Sequence, residues 1–267
     1  MASQRSSAGD PAKTLELLWR QPGAGGPQRG PKPMLTVDGI VTAAITLADA
    51  EGLEAVSMRS LAKHLAVAPM ALYTYVPGKA ELIDLMLDAT YARMERRAPR
   101  DATWRARLEA VAHDNAALYE RHPWVASIPT SRPPLGPGLM AKYEYELRAL
   151  EGTGLGDVEM DAALAFVLGF VESCARAAAD TRAAQLESKL SDAEWWSQNA
   201  PLLARVFDAA KYPLAARVGT AAGAAHGAAS SPAHAYAFGL QRVLDGLSVL
   251  VERKEPPGRP DGSSPSA

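Results

Sequence analysis

Residues Ser57 to Lys79 read SMRSLAKHLAVAPMALYTYVPGK, a stretch that predicts two short helices joined by a tight turn. Ser57 is placed to cap the first turn of the first helix. Pro69 suits the first turn of the second helix, where its missing amide hydrogen costs little. Apolar residues of the first helix recur at the i, i+3, i+4, i+7 spacing of one helical face: Met58, Leu61, Ala62 and Leu65.

The second helix has different residues on its two faces. Leu72 and Val76 supply its inward face, and the residues left pointing outward are Met70, Ala71, Tyr73, Thr74 and Tyr75. Small, hydroxyl-bearing and aromatic groups, followed by a lysine, suit a helix that lies in the DNA major groove. The alternative is an ordinary buried hairpin of an all-α domain, but such hairpins rarely expose two tyrosines, a threonine and a lysine.

The same stretch resembles the helix-turn-helix of the TetR family of bacterial repressors. The matching residues are Ser57-Met58-Arg59-Ser60-Leu61-Ala62, Leu65-Ala66-Val67, Leu72-Tyr73-Thr74-Tyr75-Val76 and Lys79. One departure is Ala66, where the family usually has Gly, so we expect this turn position to avoid a positive φ angle. The resemblance implies that Arg59 reaches a base edge and that Tyr73 and Lys79 hold phosphates. The full set of expected DNA contacts is Thr36, Ser57, Arg59, Pro69, Met70, Ala71, Tyr73, Thr74, Tyr75 and Lys79.

Composition limits the classes of protein that the chain can belong to. With 267 residues and 48% hydrophobic residues it is long enough for a small domain and a larger one. A net charge of −2 gives no global attraction to DNA, so binding must come from a local patch. Cys174 is the sole cysteine, which excludes an internal disulfide and fits a reducing cytoplasm. No apolar run of membrane-span length and no signal-peptide pattern stand out, so we expect a cytoplasmic protein without a membrane partner.

Helical periodicity and breakers divide the chain into four parts. Residues 1–33 form a flexible extension apart from a short helix at Ala12–Trp19, and Arg29–Pro33 is either an arm for DNA or an ordinary solvated linker. Residues 34–80 form a three-helix DNA-binding domain whose first helix begins at Thr36 and ends at Gly52. Residues 81–253 form a regulatory and dimerisation domain, joined to the head by a helix over Lys79–Arg97, and residues 254–267 form a disordered tail. Further helices are expected at Thr103–Arg121, Gly138–Glu151, Asp157–Ala183, Asp192–Ala210 and Pro232–Glu252, with a flexible loop at Gly219–Ser231.

The all-α body also resembles the regulatory part of tetracycline repressors. The resemblance rests on His122-Pro123-Trp124, the Gly136–Leu150 helix and the closing helices. It implies a homodimer built from Asp157–Ala183 and Pro232–Glu252 of each subunit, whereas the pattern alone fits a core within one subunit equally well. The expected dimer contacts are Leu164, Val167, Leu168, Val171, Cys174, Phe238, Val243, Leu247 and Leu250.

The resemblance further implies a pocket for an apolar or aromatic effector in the body. The residues expected nearest to it are Trp104, Leu108, Asn115, Tyr119, Trp124, Met140, Tyr143, Phe166 and Phe170. Asn115, Tyr119 and Tyr143 are the expected polar anchors, while plain core packing remains an alternative for each residue. Tetracycline repressors bind their drug as a magnesium complex, but His113 has no companion ligands at metal-binding spacing. We therefore expect no metal and no cofactor.

No catalytic constellation appears in the sequence. It contains no phosphate-binding glycine loop, no Gly-x-Ser-x-Gly elbow and no His-Glu-x-x-His pair. Cys174 lies among small and apolar residues and is expected to be a packing group. The resemblance to TetR repressors therefore implies a ligand-responsive repressor that is released from a palindromic operator by a small apolar or aromatic effector. The alternative is a helical protein that sequesters a small molecule without specific DNA binding. The outward groups that argue against it are Arg59, Thr74, Tyr75 and Lys79.

Overall fold

The computed structural model of the protein describes residues 5–20, 35–97 and 102–253. These residues form twelve α-helices and one 3-10 turn, Leu53–Ala55, and no strand occurs among them. The prediction of an all-α fold is confirmed. The helices are α1 (Pro11–Leu18), α2 (Val37–Glu51), α3 (Met58–His64), α4 (Pro69–Tyr73), α5 (Lys79–Ala92), α6 (Trp104–Arg121), α7 (Pro123–Ser127), α8 (Pro137–Leu147), α9 (Asp157–Ser188), α10 (Asp192–Val206), α11 (Pro213–His226) and α12 (Pro232–Glu252).

Helices α2, α3 and α4 form a compact head. At the start of α2 the side-chain oxygen of Thr36 accepts a hydrogen bond from Gly39 N–H at 3.0 Å. At the start of α3, Ser60 N–H donates to Ser57 Oγ (3.0 Å) and Ser57 N–H donates to Ser60 Oγ (2.9 Å), which is a capping box. The side chains at the centre of the head are completely buried: Ile40, Val56, Leu61, Leu72 and Val76.

The turn between α3 and α4 differs from the expectation for Ala66. Ala66 adopts a φ of 55°, in the left-handed region that favours glycine. Val67 N–H donates to Ala62 O at 3.0 Å and Ala66 N–H to Lys63 O at 3.2 Å, the pattern of a helix that ends in a left-handed residue. The expectation of a negative φ was wrong because this ending requires the left-handed residue whichever side chain occupies it.

Helix α5 leads from the head into the body and carries three buried carboxylates on one face, Glu81, Asp84 and Asp88. Asp88 Oδ1 accepts a hydrogen bond from Leu139 N–H at 2.8 Å, so it satisfies one of the free amides at the start of α8. Burial raises the pKa of Asp88, while this hydrogen bond lowers it. Helix α5 packs against α8, α1 and α2 and therefore touches both parts of the molecule.

The N-terminal segment 5–20 is docked on the protein, which corrects the prediction of a flexible extension for these residues. Ser7 N–H donates to Asp84 Oδ1 at 2.8 Å, and Ser6 Oγ donates to Arg132 O at 2.7 Å. Leu18 of α1 is buried in the same core as the head. The buried carboxylates of α5 need hydrogen-bond donors, and backbone amides of this segment supply them. The expected arm Arg29–Pro33 lies outside the described residues, as does the expected tail 254–267.

The body is built mainly from α6, α8, α9 and α12. Arg105 on α6 forms an ion pair with Asp245 on α12 at 2.6 Å, which ties these helices together at the surface. A second core lies beneath, and its completely or almost completely buried side chains include Leu108, Val111, Leu164, Val167, Val171, Leu240 and Leu244.

The region after α9 contains more helix than predicted. The expected loop Gly219–Ser231 is helical up to His226, where Gly227 ends α11 with a φ of 61°. Alanine dominates this run, and its high helix propensity outweighs the cost of the interspersed glycines. Helix α10 ends at Val206 rather than Ala210, and neither α10 nor α11 contains a buried residue.

Within the described residues, α9 is the one helix long and apolar enough to cross a membrane, by length and composition alone. The expectation from the sequence that no apolar run reaches membrane-span length is corrected by this helix. The helix packs against α12, α6 and α7, yet only 22% of its most apolar stretch is buried. A large apolar face of α9 therefore remains exposed on the single chain.

Candidate DNA interface and effector site

The outward face of α4 is available for contact with a partner. Met70 is 75% exposed and Tyr73 is 46% exposed, whereas Leu72, between them in sequence, is completely buried. Pro69 and Thr74 are also exposed, and Ala71 is half-buried. The helix thus presents a ridge of small, apolar and hydroxyl-bearing groups, as the contact prediction requires.

A groove of about 520 Å³ lies between α3 and the start of α4. Ser57, Arg59, Lys63 and Pro69 line it. Arg59 and Lys63 are one helical turn apart, so two cations lie on the same side of α3. Lys63 was not among the DNA contacts expected from the sequence, although its i+4 spacing from Arg59 could have identified it.

Tyr75 and Lys79, like Ser57 and Ala71, are only partly accessible. Tyr75 is half-buried and packs against the core of the head. Lys79 is the first residue of α5, and partial burial lowers its pKa while the nearby Glu54 carboxylate raises it. A cation at a helix N-terminus is unfavourable for the helix itself, but together with free backbone amides it suits a phosphate. These DNA contacts remain predictions.

Four side chains in the interior of the body form what we call the body cluster: Tyr91, Asn115, Lys142 and Glu146. Lys142 Nζ donates to Glu146 Oε1 at 2.6 Å, and Asn115 Nδ2 donates to the same oxygen at 2.7 Å. The Lys142 ammonium lies 5.5 Å from the centre of the Tyr91 ring. Asn115 is completely buried, and its Oδ1 has no hydrogen-bond partner among the described residues. The cluster joins α5, α6 and α8.

The residues expected near an effector do not all lie together. Leu108 and Asn115 are completely buried on α6, where Tyr119 and Trp104 pack against the same core. Burial raises the pKa of Tyr119 well above its usual value, as do Tyr91, Glu172 and Glu146. Tyr119 therefore lies near the body cluster, and its role as a polar anchor stays a prediction.

The remaining expected effector residues lie elsewhere. Trp124 on α7 contacts the head, because its indole nitrogen donates to Asp49 Oδ1 at 2.7 Å. Met140 and Tyr143 are on the exposed face of α8, where Tyr143 Oη donates to Asp161 Oδ1 at 2.7 Å and its pKa is raised. Phe166 is 59% exposed on α9.

Phe170 is the last of these residues, and it stacks on Tyr236 of α12 with ring centroids 6.1 Å apart. A cleft of about 140 Å³ between α5 and α6 and an open cleft of about 950 Å³ beside α8 are lined by none of the expected effector residues. The expected set as a whole is therefore not one pocket in this conformation.

The positions of possible metal ligands and of the Cys174 thiol bear on two further predictions. No group of three or more His, Cys, Asp or Glu side chains is placed to hold a metal ion within residues 5–20, 35–97 and 102–253. The absence of a metal and of a cofactor stays a prediction. Cys174 is half-buried rather than buried, and burial raises the pKa of its thiol, which disfavours the reactive thiolate.

Comparison with known proteins identifies the family. The profile described as "Tetracyclin repressor-like, C-terminal domain" matches residues 98–251, and that described as "Bacterial regulatory proteins, tetR family" matches residues 40–86. The chain belongs to the TetR family. It is 42% identical over 254 residues to the HTH-type transcriptional repressor DrrR1 of Streptomyces coeruleorubidus, covering 95% of this chain and 91% of that protein.

Solved structures of TetR-family proteins share the fold. Apo ActR from Streptomyces coelicolor aligns with a TM-score of 0.68 at 25% identity, covering 83% of this chain and 98% of that chain. ActR in complex with actinorhodin also aligns with a TM-score of 0.68, at 26% identity, covering 82% and 97% of the two chains. The predictions of a TetR-family transcriptional regulator and of a protein that is not an enzyme are confirmed.

TetR-family repressors form dimers, and α9 and α12 of this chain share an exposed apolar face. Several expected dimer contacts lie elsewhere, since Leu164, Val167, Val171 and Leu247 are buried in the core of the subunit. The helical pattern could not distinguish the face buried in the subunit core from the face exposed on the single chain, because both faces are apolar. The residues that line the exposed face, here called the α9–α12 face, are Ala162, Ala165, Phe166, Gly169, Ala235, Phe238, Gly246 and Val249.

Proposed function

We propose that this TetR-family protein is a homodimeric cytoplasmic repressor that binds a palindromic operator and leaves it when a small aromatic effector binds the body. The observation that carries the proposal is the surface of α3 and α4. Arg59 and Lys63 line one side of a groove, and the exposed ridge of α4 lies beside it. A short helix with small and hydroxyl-bearing outward residues, flanked by cations, fits the major groove and its phosphates.

Dimerisation and operator symmetry support each other in this proposal. The α9–α12 face offers small residues around Phe166 and Phe238, so two copies can approach closely about a two-fold axis. Two heads related by that axis contact two half-sites about 34–36 Å apart in successive major grooves.

Effector control requires contacts between body and head. Helix α5 is the covalent connection, Trp124 contacts Asp49, and Val125 and Ile128 lie in the same core as the head. ActR is known in complex with actinorhodin and with (S)-DNPA, which supports an effector site in the body of this related chain. An effector that favours a different α5 position changes the distance between the two heads. By linkage, operator DNA must lower effector affinity by the same factor as the effector lowers DNA affinity.

A gel-shift titration tests the proposal. The operator is first selected from random duplexes with the purified full-length protein, and its affinity is then compared with that of a scrambled duplex at physiological salt. A palindromic selected site that binds at least about 10³-fold more tightly than the scrambled duplex is expected. Equal affinity for both duplexes would contradict the proposal and leave a protein that binds a small molecule without specific DNA binding.

A further inference from the structure

The body cluster contains a pair of opposite charges in an environment that excludes water. Lys142 and Glu146 are 6% and 1% exposed and lie in direct contact with each other. Taking both charges out of water costs free energy that the attraction between them only partly offsets. Well-packed apolar residues would hold α8 against α6 at least as well. The pair therefore has a use other than packing.

The hydrogen bonds of the cluster are incomplete in a specific way. The Lys142 ammonium has three donor hydrogens, and Glu146 Oε1 is its one hydrogen-bonded partner among the described residues. Asn115 Oδ1 is an acceptor that lies buried without a partner. Both side chains donate to the same oxygen of Glu146, so the ammonium that keeps free donor hydrogens and the amide that carries the free acceptor lie beside each other. A hydroxyl group can accept from the first and donate to the second.

The charges and the aromatic side chains of the surroundings restrict the rest of the ligand. The charges of Lys142 and Glu146 cancel, and the nearby Glu172 and Arg176 of α9 form an ion pair with each other. A charged ligand would leave a net buried charge, so its burial would cost far more free energy than the burial of a neutral ligand. Tyr91 is buried beside the Lys142 ammonium, and Tyr119 lies in the same region. Aromatic side chains favour an aromatic partner.

We infer that the body cluster is the polar end of the effector site and binds the hydroxyl group of a neutral aromatic molecule. The hydroxyl oxygen accepts a hydrogen bond from Lys142 Nζ, and the hydroxyl hydrogen is donated to Asn115 Oδ1. This inference rests on the proposed function only in its use of an effector, since the binding itself can be measured without DNA.

Calorimetric titration of the full-length protein with three naphthalenes tests the inference. 2-Naphthol carries the donor and the acceptor, 2-methoxynaphthalene carries the acceptor alone, and 2-naphthoate carries a negative charge. We expect 2-naphthol to bind about tenfold more tightly than 2-methoxynaphthalene, the effect of one buried hydrogen bond, and more tightly than 2-naphthoate.

Two variants separate recognition from structure. Asn115→Leu removes the acceptor, and the double variant Lys142→Met with Glu146→Met removes both charges at similar volume, which buried ion pairs commonly tolerate. In both variants 2-naphthol and 2-methoxynaphthalene should bind within about threefold of each other. Glu144→Gln on the exposed face of α8 is the matched control and should keep the wild-type preference.

Several outcomes would overturn the inference: no binding of 2-naphthol to the wild type, equal binding of 2-naphthol and its methyl ether, tightest binding of 2-naphthoate, or a preference that survives in both variants. Operator binding by the same samples keeps the two proposals apart. Intact operator binding without the 2-naphthol preference removes the inference alone. A 2-naphthol preference without specific operator binding removes the proposed function and leaves the site.

Discussion

The indole nitrogen of Trp124 on α7 donates a hydrogen bond to the carboxylate of Asp49 on α2 at 2.7 Å. The same carboxylate oxygen lies 2.8 Å from Nδ1 of His122. Asp49 belongs to the head, whereas His122 and Trp124 belong to the body. A single carboxylate thus joins the two parts of the molecule at a point away from α5, and any motion of the body that reaches the head must either carry this contact along or break it.

Replacing Asp49 tests how much this contact contributes. Trp124 is 4% exposed, so Asp49→Ala should leave its indole N–H without a partner and lower the free energy of unfolding by about 1–3 kcal/mol. Asp49→Asn keeps an acceptor oxygen and should cost less than Asp49→Ala. Urea unfolding of both variants is the measurement. Equal losses would show that the negative charge, rather than the hydrogen bond, holds the body against the head.

The role of Trp124 shows where sequence reasoning reaches its limit. The head was predicted well because its signals are local: a capping serine, i, i+3, i+4 spacing and a proline at the start of α4. Trp124 was expected near the effector because of the resemblance of this segment to tetracycline repressors. Its actual partner, Asp49, is far away in sequence, and no local pattern indicates such a pairing.

The buried face of α8 was also predicted wrongly, because it depends on partners that are distant in sequence. Tyr143 was expected to be a polar anchor of the effector site, but the adjacent residue Lys142 is the one that is buried. A lysine is normally exposed, and its burial here depends on Glu146 one turn later and on Asn115 from α6. The docking of residues 5–20 likewise depends on Asp84 of α5. Composition predicts mobility for that segment, and only the fold shows which distant groups hold it.

The second prediction distinguishes base contacts from phosphate contacts. Arg59→Ala should cost about 1–3 kcal/mol on the selected operator and relax the preference for the base that it contacts. Lys79→Ala should weaken binding to all sequences similarly and reduce the salt dependence by about one phosphate contact. Gel-shift titrations over a range of salt concentrations measure both effects. The assignment is wrong if Arg59→Ala weakens operator and scrambled DNA by the same factor.

The third prediction concerns the α9–α12 face. Phe238 is 56% exposed on the single chain, so Phe238→Glu should leave the subunit folded and place a charge in the apolar dimer interface. Sedimentation should then show monomers and operator affinity should fall. Leu15→Glu is the matched control. Leu15 is also a partly exposed apolar residue (41%), but it lies on α1, which packs against α5, and so it is not part of the α9–α12 face. A Phe238→Glu protein that remains dimeric would place the interface on another surface. Leu247, buried in the subunit core, cannot serve as this test.

The last prediction follows from Asp84, whose buried carboxyl accepts a hydrogen bond from Ser7 N–H with one oxygen and leaves the other without a partner. Burial raises its pKa from 3.8 to about 6, with a further contribution from Glu81, while the Ser7 hydrogen bond lowers it. Because the folded protein holds the proton more tightly than the unfolded chain, the stabilisation from protonated Asp84 is fully present below pH 3.8 and is lost as the pH rises through about 6.

Asp84→Asn imitates the protonated side chain and keeps an acceptor for Ser7. Relative to wild type, its free energy of unfolding should therefore rise by about 1–2 kcal/mol between pH 5 and pH 7.5. Urea unfolding at several pH values measures this difference, and the slope matters rather than the offset, since the cost of the new amide hydrogens does not change with pH. Glu144→Gln, which replaces an exposed carboxylate, should show no comparable rise. A difference between Asp84→Asn and wild type that stays constant, or that falls as the pH rises, would mean that Asp84 is already ionised in the folded protein at pH 5. The N-terminal segment would then be held by a charged rather than a neutral carboxyl group.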